Sequence, residues 1–255
     1  MNWRIVSASV VGTAHQSRNE ICQDCHIAVN WKGADEKESL IALVADGAGS
    51  AQFAKLGAEL ACQEGKCLLE ELLATNHVIP PTHEDIQKLI RELSSRINHH
   101  ANIAQVPIRE YACTLLIALI HPQFSLFAQI GDGGIVVAQD SVFELIFWPD
   151  NGEYANETHF LTDSDAVNYL QFLSTETHYS EIALFSDGLQ RLALLYENRS
   201  VYTPFFTPML TVIRQSTPEL CTMLSTQLAA FLSSSRINER TDDDKTLVLA
   251  SYTEN

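Results

Sequence analysis

Apolar positions along the chain recur with two different periods, and these divide it into helical and extended segments. Across residues 51–74, Phe53, Leu56, Leu60 and Cys67 share one stripe with Glu and Lys between them, which predicts an amphipathic helix. Residues 84–103 repeat the pattern through Ile86, Leu89, Ile90, Leu93 and Ile97, and 219–232 predict a third helix. Two prolines in the segment 76–83 (NHVIPPTH) mark a soft break between the first two helices. Short runs rich in β-branched and large apolar residues predict strands at 4–11, 27–31, 40–45, 113–120, 125–130, 135–138, 142–147, 182–185 and 246–252. Between the last two strands lie the stretch 189–195 and a Pro/Phe-rich segment, 202–208, expected as a loop. Strands cluster and the long helices come in pairs, so regular strand–helix alternation is absent. An α+β fold of antiparallel sheets flanked by helices follows.

Composition adds limits to this picture. Apolar residues make up 46% and charged residues 19% of 255 positions, enough for a substantial core and too apolar for a disordered chain. A layered fold of this length can be one unit, so a single domain over 1–255 is expected. Sixteen Lys and Arg against 32 Asp and Glu leave a net charge of −16. Such a chain repels phosphate backbones and anionic bilayers, which argues against nucleic acid and membrane as partners. The opening residues, MNWRIVSASVVG, lack the basic and apolar regions of an export signal. The longest largely apolar run, 112–120, is too short to span a bilayer, so a cytoplasmic location is expected. The six cysteines (22, 25, 62, 67, 113 and 221) would then be reduced thiols. Cys22-Gln23-Asp24-Cys25-His26 matches a haem-attachment pattern, yet no second Cys pair or His pair completes a zinc site. The alternation from Cys25 to Trp31 reads as a strand, where small thiols pack as ordinary core.

The candidate chemistry sits at strand ends. Residues 40–47 (LIALVADG), 127–133 (FAQIGDG) and 182–188 (IALFSDG) each carry an apolar strand into Asp-Gly, at Asp46, Asp132 and Asp187. A fourth segment, Thr241-Asp242-Asp243-Asp244-Lys245-Thr246, sets carboxylates immediately before another apolar strand. Asp-Gly alone is a common turn. Its repetition after buried-looking strands predicts carboxylates gathered at one rim, where their repulsion is relieved by hard cations such as Mg²⁺ or Mn²⁺. A dinuclear centre of that kind activates water and neutralises phosphoryl oxygens.

These residues resemble a known family, the PP2C-like, metal-dependent serine/threonine phosphatases (PPM family). The matching motifs run in family order: Gly12-Thr-Ala-His15, Gln23-Asp24, Val44-Ala-Asp46-Gly47-Ala-Gly49-Ser50, Cys113-Thr114, Gly131-Asp132-Gly133, Ser186-Asp187-Gly188 and Asp243-Asp244-Lys245-Thr246. Short, stand-alone bacterial members are similar also in Glu153-Tyr-Ala-Asn156, Pro204-Phe-Phe-Thr-Pro208 and Asn238–Lys245. The resemblance implies a four-layer α-β-β-α sandwich of two mostly antiparallel sheets, with two Mn²⁺ or Mg²⁺ ions at one end. It implies that Asp46 bridges the ions, Gly47 lends its carbonyl, and Asp187 and Asp243 complete one shell. Gln23 and Asp24 fall in the remaining ligand motif, and Asp132 with Asp187 would hold a weaker third ion. The implied activity is hydrolysis of phosphoserine and phosphothreonine in proteins, targets of a serine/threonine kinase, by a monomer.

Three positions depart from the family pattern. Gln23 replaces a ligating Glu, His15 falls where a phosphate-binding Arg is usual, and Ala48 replaces a leaving-group His. His15, Arg18 and Arg191 are therefore the candidates for phosphate contact, with His15 also a candidate proton donor. A catalytically weak or inactive phosphoprotein-binding module on the same scaffold is the alternative. A hydrolase of small phosphate esters is a third reading.

Overall fold

The computed structural model describes residues 2–33, 36–75, 80–149 and 158–253. The chain opens with β1 (Asn2–Val10) and a one-turn helix α1 (Thr13–Ser17), then β2 (Cys25–Lys32) and β3 (Glu38–Ala45). Two long helices follow, α2 (Ala54–Thr75) and α3 (His83–Ala104). The second is started by Thr82, whose side chain accepts from the Asp85 amide while Asp85 accepts from the Thr82 amide. Next come β4 (Leu115–His121), β5 (Phe124–Ile130), β6 (Gly134–Gln139), β7 (Val142–Leu145), β8 (Gln171–Thr175) and β9 (Glu181–Phe185). A short helix α4 (Gln190–Ala193) and the small ribbon of β10 (Leu194–Leu195) and β11 (Ser200–Val201) lead to α5 (Thr203–Gln215) and α6 (Pro218–Leu232). The one-turn α7 (Ser235–Asn238) precedes β12 (Lys245–Thr253).

The strands form two five-stranded antiparallel sheets, in the orders β1-β12-β9-β6-β7 and β2-β3-β4-β5-β8. Strand alternation explains how they stack. Along β3, Leu40, Ala42 and Val44 turn inward to meet Ile182, Leu184, Val248 and Ala250 of the other sheet. Ile41, Leu43 and Ala45 turn outward beneath Ile86, Leu93 and Ile97 of α3. The opposite outer face carries Phe206, Leu210 and Ile213 of α5 and Leu228 and Leu232 of α6 over Val6, Phe185 and Leu249. The layers are therefore helix, sheet, sheet, helix, as the family resemblance implied. Central strands buried on both faces account for the uninterrupted apolar runs. Among the described residues, no helix is long and apolar enough to cross a membrane.

The structure corrects several expected boundaries. Residues 202–208 are not a loop: they form the first half of α5, with Pro204 in its opening turn and Pro208 inside it. Proline is tolerated early in a helix because those amides have no intrahelical partner. Burial of Phe206, Leu210 and Ile213 holds the rest. The edge strand β8 escaped the pattern because its polar, half-buried sequence lacks a clean apolar face. Cys113 precedes β4, joining Gly47 through an isolated bridge. Of the expected features, 76–79 in the proline-containing break and the Glu153–Asn156 motif lie outside the described residues.

Candidate active site

Register brings the acidic turns together. Val10 at the end of β1 pairs with Lys245 at the start of β12, and Phe185 at the end of β9 pairs with Leu247 and Gly134. In the other sheet, Cys25 pairs with Ala45 and Leu115 with Ile130. Every Asp-Gly turn thus leaves the same end of the sandwich. Gly131, at φ +102°, supplies the left-handed residue that turns β5 toward Asp132, a conformation side chains disfavour.

Five carboxyls, of Asp24, Asp46, Asp132, Asp187 and Asp243, meet at this rim in electrostatic contact. Asp46 is anchored by its amide, which donates to Thr114 Oγ1 at 3.0 Å, while the Thr114 amide returns a 2.8 Å bond to the Asp46 carbonyl. Burial pushes the Asp46 carboxyl well above the ordinary carboxylate range, and the charges of Asp24, Asp187 and Asp243 add to the rise. Burial likewise raises Asp187 to about 7, against the relief of a shared hydrogen bond with Asp46. Asp24 is fully buried, and its Oδ2 accepts from the hydroxyls of Ser186 and Thr246, both at 2.7 Å. Burial still lifts it to about 6, with those two hydroxyls opposing the rise. Asp132 is raised by burial and, to a lesser degree, by Asp243, while Thr158 Oγ1 donates to it at 3.0 Å. Asp243 itself is exposed at the mouth.

The neighbour of Asp243 turns the other way. Asp244 is 2% exposed, and its carboxylate accepts from the amides of Gly12 at 2.6 Å and Gln23 at 2.5 Å. Its Oδ2 also stands 2.9 Å from Nδ1 of His15. His15 is buried on α1, with Nε2 3.6 Å from Glu20 and facing Gly49. Asp244 thereby ties the start of α1, the Gln23-Asp24 segment and the Asp243 turn into one unit. Glycine is required at position 12, because a Cβ there would lie 2.2 Å from the Asp243 carbonyl carbon.

The structure therefore gathers Gln23, Asp24, Asp46, Gly47, Asp132, Asp187 and Asp243 at one rim, with His15 beside them. Arg18 is exposed and paired with Glu20 at 2.8 Å. Arg191 lies on α4 along the wall of an apolar groove, and Tyr196 stands within electrostatic reach of it and of Asp132 and Asp187. Thr114, Ser186, Lys245 and Thr246 lie within the quoted motifs, but the sequence assigned them no role; buried Lys245 donates to Asn238 Oδ1 and the Asp243 carbonyl at 3.1 Å each. Sequence reasoning missed Lys55, whose Nζ donates to the Asp24 carbonyl at 3.0 Å and which no motif signals.

The donor set fits hard divalent cations. Oδ1 of Asp24, Oδ1 of Asp187 and Oε1 of Gln23 are buried and without a hydrogen-bond partner, a costly arrangement unless a cation fills it. Among the described residues no three His, Cys, Asp or Glu stand as ligands of one point, while Asp46 and Asp187 share a hydrogen bond. Replacing bound protons with cations removes the repulsion that raises the carboxyls.

Fold and acidic rim together define a protein phosphatase of the 2C class. The chain belongs to the protein phosphatase 2C family, whose model matches residues 11–233. It is 40% identical, over the whole of both chains, to serine/threonine-protein phosphatase 3 of Escherichia coli (strain K12). Solved structures share the fold at lower identity. Stp1 from Staphylococcus aureus, a serine/threonine phosphatase, superposes with a TM-score of 0.62 at 15% identity, covering 100% of this chain and 96% of that one. The catalytic domain of the phosphatase PstP, solved with two manganese ions, gives 0.62 at 16% identity with 99% of each chain covered. This chain is a serine/threonine phosphatase of the PP2C type.

Proposed function

We propose that the chain hydrolyses phosphoserine and phosphothreonine in proteins at a centre of two Mn²⁺ or Mg²⁺ ions held by the acidic rim. The observation that carries this reading is the buried carboxyl cluster of Asp24, Asp46 and Asp187, in which Oδ1 of Asp24, Oδ1 of Asp187 and the neighbouring Gln23 Oε1 are left without partners. Asp46, Asp187 and Asp243 would hold one ion. Asp46, the Gly47 carbonyl and Gln23 would hold the second, and Asp132 with Asp187 a weaker third. Ions bound there supply Lewis-acid neutralisation of the phosphoryl oxygens and lower the pKa of water.

The chain's own residues do the rest. Asp24 contributes its free Oδ1 while Ser186 and Thr246 fix its orientation. His15, braced by Asp244, directs Nε2 toward the Ala48-Gly49 loop, where it takes the place of the family's phosphate-binding Arg. Neutral Gln23 in place of Glu leaves the second ion with one fewer negative charge and hence a weaker hold. The substrates would be products of a serine/threonine kinase, met by the phosphatase as a monomer.

The test pairs phosphothreonine peptide with p-nitrophenyl phosphate, each with Mn²⁺, with Mg²⁺ and with excess EDTA. Turnover of the peptide should require the metal. Asp46→Asn and Asp187→Asn should each lower it by at least about 100-fold while the far-ultraviolet circular dichroism is unchanged. Undiminished peptide turnover in EDTA would falsify the metal centre, and hydrolysis of p-nitrophenyl phosphate alone would point to small esters.

A further inference from the structure

A large groove lies on the outer helical face, apart from the strand ends that carry the acidic rim. Helices α5 and α6 stand apart on the outer face of their sheet, leaving a groove of about 820 Å³ floored by Val6 and Leu249. Its walls are apolar: Phe205, Met209 and Val212 from α5, Leu224, Leu228 and Phe231 from α6. Val212 is 51% and Phe231 38% exposed, so large apolar surface faces water here. Arg191 from α4, with Arg236 and Arg240 at and just after α7, also line the groove; all three are exposed, and none makes an ion pair with a described residue. In a chain of net charge −16, three arginines bordering one apolar groove are a local excess of positive charge.

We propose that this groove binds a fatty acid, its acyl chain between α5 and α6 and its carboxylate at Arg191, Arg236 and Arg240. The cavity lies within the range of small-molecule sites, roughly 300–1,000 Å³, and is concave where a second protein subunit needs a broad face. The walls are helix side chains, and helix backbones keep their amides and carbonyls for themselves. An extended peptide lying there would bury its own amides unpaired, whereas an acyl chain carries none. The arginine forks match a planar carboxylate. The site stands on packing and charge outside the acidic rim, so it does not depend on the phosphatase reading.

Isothermal titration calorimetry with dodecanoate below its micelle concentration tests the site directly. Dodecanoate should bind the full chain at one per molecule, with a negative heat-capacity change. Decanoate, two carbons shorter, should bind about tenfold more weakly. Dodecanol, with the same chain and no charge, should bind at least about tenfold more weakly because the arginines are left unpaired. Arg236→Ala/Arg240→Ala should weaken dodecanoate about tenfold and leave dodecanol unchanged. Val212→Trp, on an exposed wall position where folding is not at stake, should fill the slot and abolish binding. The proposal is overturned if dodecanoate does not bind, if it binds Val212→Trp as tightly, or if several molecules bind at once. It is equally overturned if dodecyl phosphate binds and dodecanoate does not. Sedimentation showing self-association that Val212→Trp abolishes would assign the groove to a second copy of the chain instead.

Discussion

Asp24 shows how much of this site is set by hydroxyls that carry no charge. Its two accepted bonds at 2.7 Å, from Ser186 and Thr246, hold one carboxylate oxygen away from the rim and leave Oδ1 presented to it. Such supporting partners govern metal affinity by about 10–100-fold. Ser186→Ala should therefore weaken Mn²⁺ binding by about that factor, read as the metal concentration giving half-maximal turnover. Ser186 Oγ also accepts from the Thr246 amide at 3.0 Å, so a stability loss of about 1–3 kcal/mol is expected alongside. A variant that loses stability and keeps its metal affinity would make Ser186 structural only. His15 presents a separate question of role. It stands 2.9 Å from Asp244 and faces the loop after Asp46. His15→Ala should raise KM on both phosphothreonine peptide and p-nitrophenyl phosphate with kcat little changed. A fall in kcat confined to the peptide, whose leaving oxygen needs a proton, would assign it to acid catalysis.

At the scale of elements, the rim depends on how closely the turn after β1 approaches the start of β12. Gly12 lies against backbone: a Cβ there would stand 2.2 Å from the Asp243 carbonyl carbon and 2.4 Å from two carbonyl oxygens. Backbone cannot rotate aside as a side chain can. Gly12→Ala should therefore cost about 1–3 kcal/mol and loosen Mn²⁺ binding by displacing Asp243. Gly49→Ala, which meets only His15 Nε2 at 4.0 Å, is the tolerated control. Equal melting temperatures for the two variants would show that the approach is not tight. The same elements mark what could be read from the chain alone. Strands β3, β4 and β9 are buried on both faces, so their apolar runs and the Asp that ends β3 or β9 are plain in the sequence. The edge strand β8 and the proline-bearing start of α5 are not, because neighbours rather than local pattern hold them. Nor could spacing tell which of three consecutive aspartates turns inward. Asp243 is exposed while Asp244 is buried, and the difference is made by the amides of Gly12 and Gln23, more than two hundred residues away. Nor does a charge in the sequence say what it will face: Arg18 meets Glu20, and Arg191 borders the groove between α5 and α6.

For the whole molecule, the crowded carboxyls make stability a function of both pH and metal. In the chelated protein Asp187 titrates near 7 and Asp24 near 6, held up chiefly by burial, against an ordinary value of 3.8. Between those limits the folded chain binds more protons than the unfolded one, so stability falls as pH rises through that window. His26 works in the opposite sense. Burial lowers it from 6.5 to about 4, so the unfolded chain binds the extra proton there and stability rises with pH until 6.5. The two trends oppose each other below about 6.5, and above it only the carboxyl trend remains. The chelated protein should therefore lose thermal stability between pH 6.5 and 8. Divalent cations should reverse that loss, because they take the positions the shared protons held and bind more tightly as those protons leave. The rise in melting temperature on adding Mn²⁺ should accordingly be small at pH 5.5 and grow steadily to pH 8, with binding contributing as the logarithm of metal over Kd. In Asp46→Asn the increment should shrink at every pH, since one carboxylate of the acidic rim is gone. A metal-induced shift of equal size at pH 5.5 and pH 8 would separate the buried carboxyls from metal binding.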